Sequence, residues 1–389
     1  MGSVSRGRSR HRPRNDARLF GGEYPFVQTA DVKEANFYLT KYSQTYNEMG
    51  LAQSKLWDKG TLCITIAANI ADTAILGIPA CFPDSIMGFN AYPEIANTAF
   101  VKYCFDILQK DCKQISQGTA QDNLSWEKLS TIEFPCPPLE IQNRIASILS
   151  RYDDLIENYQ HQIQLLEEAA QRLYKEWFVD LHFPGYENTN IVDGVPEGWE
   201  KKKANTIFDI TIGKTPPRKE PQWFSTEKGI PWASISDMKN GTFITDTNEY
   251  LTPEAIERFN INVVPQDTIL LSFKLTVGRV SITMKRISTN EAIAHFPIKD
   301  ERLKEYAYLY LKGFNYDSLG NTSGISKAVN STIVKNMPFV LPDSIVISQF
   351  HHLTKPIFDN IANLTSQIRL LTEARDRLLP KLMSGEITV

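Results

Sequence analysis

Two stretches decide the reading of this chain: IENYQHQIQLLEEAAQRL (Ile156 to Leu173) and IANLTSQIRLLTEARDRL (Ile361 to Leu378). Laid over one another without a gap, they share Ile, Asn, Gln, Ile, Leu, Leu, Glu, Ala, Arg and Leu. Apolar residues recur at steps of three and four, the spacing of one helix face. In the first stretch and its approach the run is Ile145, Ile148, Tyr152, Leu155 and Tyr159, then Ile163, Leu166, Ala170, Leu173 and Trp177. One extra four-residue step, between Tyr159 and Ile163, reads as a stutter in a coiled-coil seam. The second helix repeats the seam with Ile357, Ile361, Leu364, Ile368 and Leu371, then Arg375 and Leu378. A helix from Pro138 to Trp177 would be about 60 Å long, more than one small domain can cover. Each seam therefore looks to the other copy for its partner.

The globular sequences repeat in the same register. YPFVQTADV (Tyr24 to Val32) lies over IPWASISDM (Ile230 to Met238), and the stretch Lys59 to Phe89 lies over Gln266 to Phe296 with its apolar positions in step. A shared apolar pattern with divergent polar positions means one fold carrying two surfaces. TLCITIA and TILLSFK alternate branched and aromatic residues as strands do. Asn97 to Lys110 and Asp300 to Gly313 have helical spacing, which gives an α+β fold. The expected organisation is a basic N-terminal tail (1–18), a first β-rich domain (19–137), a long helix (138–184), a linker rich in Gly, Asn and Asp (185–199), a second β-rich domain (200–343) and a second long helix (344–389).

At 389 residues and 42% apolar content the chain can bury real cores. No apolar run reaches the roughly 20 residues that span a bilayer, and no signal peptide is evident, so a cytoplasmic protein with no membrane partner is expected. The five cysteines (Cys63, Cys81, Cys104, Cys112, Cys136) all fall in the first copy without a CxxC pair, which argues for reduced, mostly buried thiols. Net charge is -3, so local charge matters more. Arg6, Arg8, Arg10, Arg12, Arg14 and Arg18 crowd the start against a single Asp16. In the second copy Lys274, Arg279, Lys285 and Arg286 form a stripe with no acid between Thr268 and Asn290. Such a stripe suits a phosphate backbone, and a solvated strand-loop face suits it equally on charge alone.

Catalytic patterns are missing from the sequence. Gly213-Lys214-Thr215 resembles the tail of a phosphate loop, but position 208, where that loop needs glycine, is Phe208. The six histidines show no ligand spacing, and no acid-base dyad or nucleophile elbow stands out. Neither metal nor catalysis is expected of this chain.

A resemblance completes the reading. PLEIQNRIASILSRYDDLIENYQHQIQLLEEAAQRLYKEWFVDLHFPGYE (Pro138 to Glu187), followed by DGVPEGWE (Asp193 to Glu200), resembles the central conserved region of the specificity subunit of type I restriction-modification enzymes. LLTEARDRLLPKLMSGEI (Leu370 to Ile387) is similar to that family's distal conserved region. GKTPPRKEPQWF (Gly213 to Phe224), GIPWASISDM (Gly229 to Met238) and SGISKAVNSTIVKNMPFVLP (Ser323 to Pro342) resemble the start, middle and end of one of its target-recognition domains. The resemblance implies two target-recognition domains related by an internal pseudo-two-fold, each reading half of a split double-stranded DNA target, held apart by two long antiparallel coiled-coil helices. It further implies two docked modification (methyltransferase) subunits that use S-adenosylmethionine, and restriction (motor-nuclease) subunits that use ATP and Mg²⁺, with no cofactor bound by this chain.

Base readout needs donors and acceptors matched to groove edges, with phosphate contacts fixing register. For the second domain the candidates are Lys214, Arg218 and Lys219 in the opening loop, Lys274, Thr276 and Arg279 in the central loop, and Ser323, Ser326 and Lys327 near the end, with Gly278 and Gly324 allowing close backbone approach. The aligned positions of the first domain are Arg8, Arg12, Asn69, Asp72, Thr119 and Gln121. Gly7 lies under Gly213, so the counterpart of Gly198 to Ile212 is replaced by MGSVSR, a departure from the family's pattern that puts the first domain's opening strand in question. The competing readings are a coiled-coil scaffold or adaptor that does not read DNA, and a truncated specificity subunit with only one competent half.

Overall fold

The computed structural model describes residues 1–67, 70–116, 126–129, 131–239, 241–319 and 329–389. It separates into two compact units, Met1–Asn158 with Leu370–Val389, and Tyr159–Arg369. The boundaries do not fall at the helix ends expected from sequence. The central helix, Leu139–Tyr174, and the distal helix, Ser344–Met383, each contribute one portion to either unit. The reason is packing: each portion forms a wall of the unit that it belongs to.

The first unit is built on a five-stranded sheet in the order Gly2–Arg6, Ile86–Ala91, Leu62–Thr65, Thr73–Leu76 and Tyr38–Leu39. All neighbours are antiparallel except the last pair. Leu62–Thr65 and Thr73–Leu76 are buried at every position, as strands covered on both faces must be. The helix Thr98–Ser116 packs on Thr73–Leu76. A second sheet runs Gln44–Tyr46, Phe20–Phe26, Ala80–Cys81 and Leu56–Trp57.

The basic N-terminal segment is no tail. Gly2–Arg6 pairs antiparallel with Ile86–Ala91 from Gly2↔Ala91 to Arg6↔Met87. The Gly7 and Arg8 N–H groups then donate to Ile86 and Phe82 carbonyls at 2.8 and 3.0 Å. Charge density misled here because an edge strand carries exposed arginine on its solvent side at little cost.

The second unit repeats this sheet residue for residue. Its order is Thr211–Ile212, Ile293–Phe296, Ile269–Ser272, Val280–Thr283 and Phe243–Ile244, again with only the last pair parallel. Leu62 faces Phe89 on one side and Ile75 on the other. Ile269 faces Phe296 and Ile282 in the same way. Phe26 meets Cys81 in a parallel pair and Trp232 meets Ser288 likewise. At one equivalent place in the sheets the contents differ. Gly88, opposite Cys63, lies so close under the Trp57 ring that a Cβ would sit 2.5 Å from it. His295, opposite Leu270, is fully buried between the Thr211 and Thr289 hydroxyls at 2.9 and 2.7 Å.

The stretch expected as a plain linker holds a two-stranded hairpin, Ile191–Val192 with Val195–Pro196. Asp193 and Gly194, both with positive φ, make its two-residue turn, the arrangement that suits right-handed strand twist. Glu200–Lys203 pairs with Pro338–Leu341, an element of the second unit alone among the described residues.

Within each unit the two long helices pack antiparallel. In the first, Ile145, Ala146 and Leu149 share a core with Leu379 and Leu382, and further along Asp153 meets Arg375. In the second, Ala170 and Trp177 share a core with Phe358 and Phe350, the Trp177 and Phe350 rings 5.7 Å apart. Of the expected seam residues, Ile145, Trp177, Ile361 and Leu364 are buried, while Tyr152, Ile163, Leu166, Leu173, Ile368, Leu371 and Leu378 are half-buried. Leu155 is the correction: it is 36% exposed and Ile156 takes the buried place at 3%. Leu149 likewise replaces Ile148. The steps through Ile145, Leu149, Tyr152, Ile156, Tyr159 and Ile163 then alternate four and three, and the stutter disappears. The sequence alone could not choose between adjacent apolar residues.

Asp153 is 1% exposed, bonded to Arg375 and accepting the Tyr103 hydroxyl at 2.5 Å. Burial would lower the Arg375 pKa, but the Asp153 carboxylate outweighs it and holds the guanidinium charged. Tyr103 is held in its neutral form by burial first and by Asp153 second. Arg375→Ala leaves an uncompensated buried carboxylate and should cost about 3–5 kcal/mol in denaturant unfolding of the first unit, whereas Asp153→Leu with Arg375→Leu should recover most of it. A single variant within about 0.5 kcal/mol of wild type, the size of an ordinary surface change, would refute the role. Burial depresses the His295 imidazole from 6.5 to about 4. As pH falls below about 6.5 the unfolded chain gains a proton that the folded one refuses, so stability present at neutral pH is lost, by about 3 kcal/mol once pH reaches 4. His295→Asn should flatten that slope in unfolding curves measured between the two pH values.

Candidate nucleic-acid interface

The opening loop of the second unit begins at a position that only glycine can fill. A Cβ on Gly213 would stand 2.1–2.4 Å from atoms of Thr289 and Asn290, and one on Gly7 would stand 2.3–2.4 Å from the Pro83 and Phe82 carbonyls. The Gly213 and Lys214 N–H groups donate to Ile293 and Thr289 carbonyls at 3.1 and 2.9 Å, which pins the loop to the sheet. Lys214 Nζ donates to the Asn260 carbonyl at 2.9 Å. Arg218 makes a two-pronged contact with Glu249 at 2.7 and 2.9 Å and stacks over Phe224 and Trp232, 4.4 and 4.5 Å from their ring centres. Lys219 is exposed beside it.

The central loop, between the strands Ile269–Ser272 and Val280–Thr283, carries Lys274 and Thr276, both exposed. Arg279, half-buried, donates to the Ile235 carbonyl at 2.8 Å. The two loops meet at a residue that sequence reasoning passed over. Thr215 donates to the Glu291 carboxylate, and Lys274 and Arg218 both lie within its field. Burial pushes the Glu291 pKa up, but Thr215, Lys274 and Arg218 together hold it below the ordinary value. Lys285 is paired in turn with Asp246 at 2.9 Å. The acid-free stretch is thus acid-free only along the chain. Glu249, Asp246 and Glu291 balance it in space, and Glu291 directly following Asn290 was the available signal. Ser323, Gly324, Ser326 and Lys327 lie outside the described residues.

In the first unit, Arg8 is exposed and Arg12 donates to the Ser9 and His11 carbonyls at 2.7 and 2.8 Å. Arg14 pairs with Asp84, and Arg18 and His11 both bond Asp16. The Arg18 guanidinium holds the Asp16 carboxyl well below the usual carboxylate range. After the strand, the arginine-rich segment is thus held by contacts within itself at His11, Arg12 and Arg18 and by Asp84 at Arg14. Beside it lies a cleft of about 660 Å³ whose wall includes Ser9, Arg14, Phe20, Phe26, Gln28 and Gln44. An arginine, two amides and two aromatic faces are a set able to meet base edges and sugars. Asp72, half-buried, accepts the Gln109 amide at 2.7 Å and faces the core rather than a ligand. Asn69, Thr119 and Gln121 lie outside the described residues. Among the described residues no group of His, Cys, Asp and Glu could hold a metal ion, and no helix is long and apolar enough to cross a membrane.

The family model described as type I restriction modification DNA specificity domain matches residues 2–168 and 196–375, once for each copy of the repeat. The type I restriction enzyme MjaIX specificity subunit of Methanocaldococcus jannaschii is 27% identical over 394 residues, covering 95% of this chain and 88% of that one. The HindI specificity subunit of Haemophilus influenzae is 27% identical over 329 residues, 68% of this chain and 71% of its own. The crystal structure of a type I restriction-modification S subunit from M. genitalium shares the fold, with a TM-score of 0.58 at 16% identity over 98% of this chain and 93% of that one.

Glu249 masks the Arg218 fork, so Glu249→Gln should release a cation toward phosphate. Titration against duplex DNA at several salt concentrations should show tighter non-specific binding and a salt slope steeper by about one. An unchanged slope would mean that Arg218 faces no phosphate.

Proposed function

The chain belongs to the type I restriction-modification DNA specificity family, and from that membership we propose that each unit reads one half of a bipartite duplex target for a cytoplasmic complex whose catalysis resides in partner subunits. The observation that carries this reading is the repeated sheet register beneath unlike loops. The two scaffolds agree pair by pair from Leu62 and Ile269 outward. The loops above them present an arginine-amide cleft in one unit and a stacked Arg218 with Lys274 in the other. One fold with two chemistries is what two different half-sites require. Methyl transfer and cleavage, with their S-adenosylmethionine, ATP and Mg²⁺, fall to modification and restriction subunits in this proposal.

The helices support the docking of two copies of one such partner. Ile163 and Ile368, and Leu166 and Leu371, are half-buried, so their identity between the copies needs no outside partner. Identity at exposed positions does. Leu165 is 51% exposed and Leu370 53%. Beside Leu165, Glu168 pairs with Arg172, which is 82% exposed; beside Leu370, Glu373 pairs with Arg377, which is 78% exposed. Three and four residues apart, these side chains share a helix face. An exposed leucine with an ion pair, repeated at equal exposure, fits two identical modification subunits.

A gel shift with purified modification subunit tests the whole reading. A retarded complex on duplexes bearing one selected bipartite sequence is expected, and a complex that assembles without retaining DNA would favour the scaffold class instead. Leu165→Asp and Leu370→Asp should each remove one modification subunit, and the double variant both, as native mass spectrometry would show; full stoichiometry in the double variant refutes the docking face.

A further inference from the structure

Leu275, at the tip of the central loop of the second unit, is 97% exposed, more than any other large apolar side chain among the described residues. Its backbone lies in the left-handed region at φ 61°, which a leucine disfavours because Cβ crowds the following carbonyl. Exposure and conformation thus both cost free energy. A chain free to relax would shed both by flipping the backbone out of the left-handed region and folding the side chain down.

The loop is braced against doing so. Ser272 Oγ donates to the Thr276 carbonyl at 2.6 Å and accepts the Arg279 N–H at 3.0 Å. The Gly278 N–H donates to the Ser272 carbonyl at 2.9 Å, and Gly278, at φ 89°, backs against the Tyr316 ring. Arg279 anchors the far side on the Ile235 carbonyl. The same closure recurs in the first unit, where the Ala71 N–H donates to the Thr65 carbonyl at 2.9 Å, the Asp72 N–H bonds Thr65 Oγ1 at 3.0 Å, and Ala71 has φ 60°. The brace therefore belongs to the duplicated scaffold, and the tip is what each copy varies.

The surroundings say what an exposed leucine would enter. Lys274 and Thr276 flank it, both exposed, and the nearby Glu291 carboxylate, which Lys274 influences, is already bonded by Thr215. Lysine beside the tip favours a polyanion over an apolar protein surface, and the apolar interior of a polyanionic duplex is its base stack. We propose that Leu275 is a wedge that enters a base step of the half-site read by the second unit, opening the stack while Lys274 holds the adjoining phosphate. This rests on the DNA-reading function proposed above. Apolar side chains inserted at a base step unstack and kink the duplex, and a braced loop loses little freedom on doing it.

The complex of this chain with its modification subunits is titrated onto the duplex that it selects from a randomised pool, with 2-aminopurine placed in turn at each position of that half-site. Leu275→Asn is the informative variant, because asparagine tolerates the left-handed backbone and leaves the brace intact; its thermal midpoint should match or exceed that of wild type. Expected are a fluorescent, unstacked step with wild type that is lost in Leu275→Asn, an affinity loss of about tenfold, the size that goes with removing one buried leucine contact, and an unchanged salt slope. Leu275→Met should retain the unstacked step, and Lys274→Ala should keep it while reducing the slope by about one. Leu275→Asn with wild-type affinity and fluorescence overturns the wedge. So does a variant that binds DNA normally but loses a modification subunit, which would make the tip a protein contact. A wild-type complex that selects no sequence overturns the DNA-reading function itself, and the wedge with it.

Discussion

A carboxylate only 1% exposed has its counter-charge 222 residues away, and the first unit depends on that pair. Asp153 alone in a core would be a severe liability, since an unpaired buried charge costs several kcal/mol. Arg375 arrives only with the distal helix. The first unit is therefore discontinuous, Met1–Asn158 completed by Leu370–Val389, whereas the second runs unbroken from Tyr159 to Arg369. Contacts of such separation close late, because the loop entropy between them must be overcome first. The second unit has no such debt of charge at the matching place. There Phe358 and Ala170 stand where Asp153 and Arg375 stand, and the Tyr308 ring meets Phe358 edge-on at 5.5 Å.

Much of this was legible in the sequence. The pairing of Lys59 to Phe89 with Gln266 to Phe296, drawn from apolar rhythm, is the pairing that the sheet registers reproduce, because each sheet position must keep its side of the pleat whatever residue fills it. The equivalence of Gly7 and Gly213 was also visible, and steric crowding from neighbouring carbonyls explains it. Other features were hidden. MGSVSR looked like the head of a tail because six arginines crowd the first eighteen residues, yet strand pairing depends on backbone, which composition does not report. Leu155 and Ile156 are adjacent and equally apolar, and only the neighbouring surface chooses between them.

The candidate DNA contacts were legible as positions and illegible as charges. Arg218, Lys274 and the loops that hold them do converge, but on Glu291 and Glu249, which lie outside the basic stretch in sequence. A stripe of cations along the chain says nothing about carboxylates folded against it. The arrangement is consistent with a net charge of -3. Leu275 escaped notice for the opposite reason: one leucine in a loop carries no periodic signal, and only its exposure marks it.

The difference between Gly88 and His295 has a consequence for descent. Gly88 leaves room for the Trp57 ring, and His295 fills the same place with an imidazole held by Thr211 and Thr289. A gene-conversion tract that copied the strand Ile293–Phe296 over its counterpart in the first unit would drive an imidazole into an indole. The reverse tract would take the imidazole partner from the buried Thr289 and half-buried Thr211 hydroxyls and leave a void beside them. Exchange of these strands between the halves is thus disfavoured at this position, whereas the aligned helix stretches carry no such mismatch of a glycine against a buried imidazole.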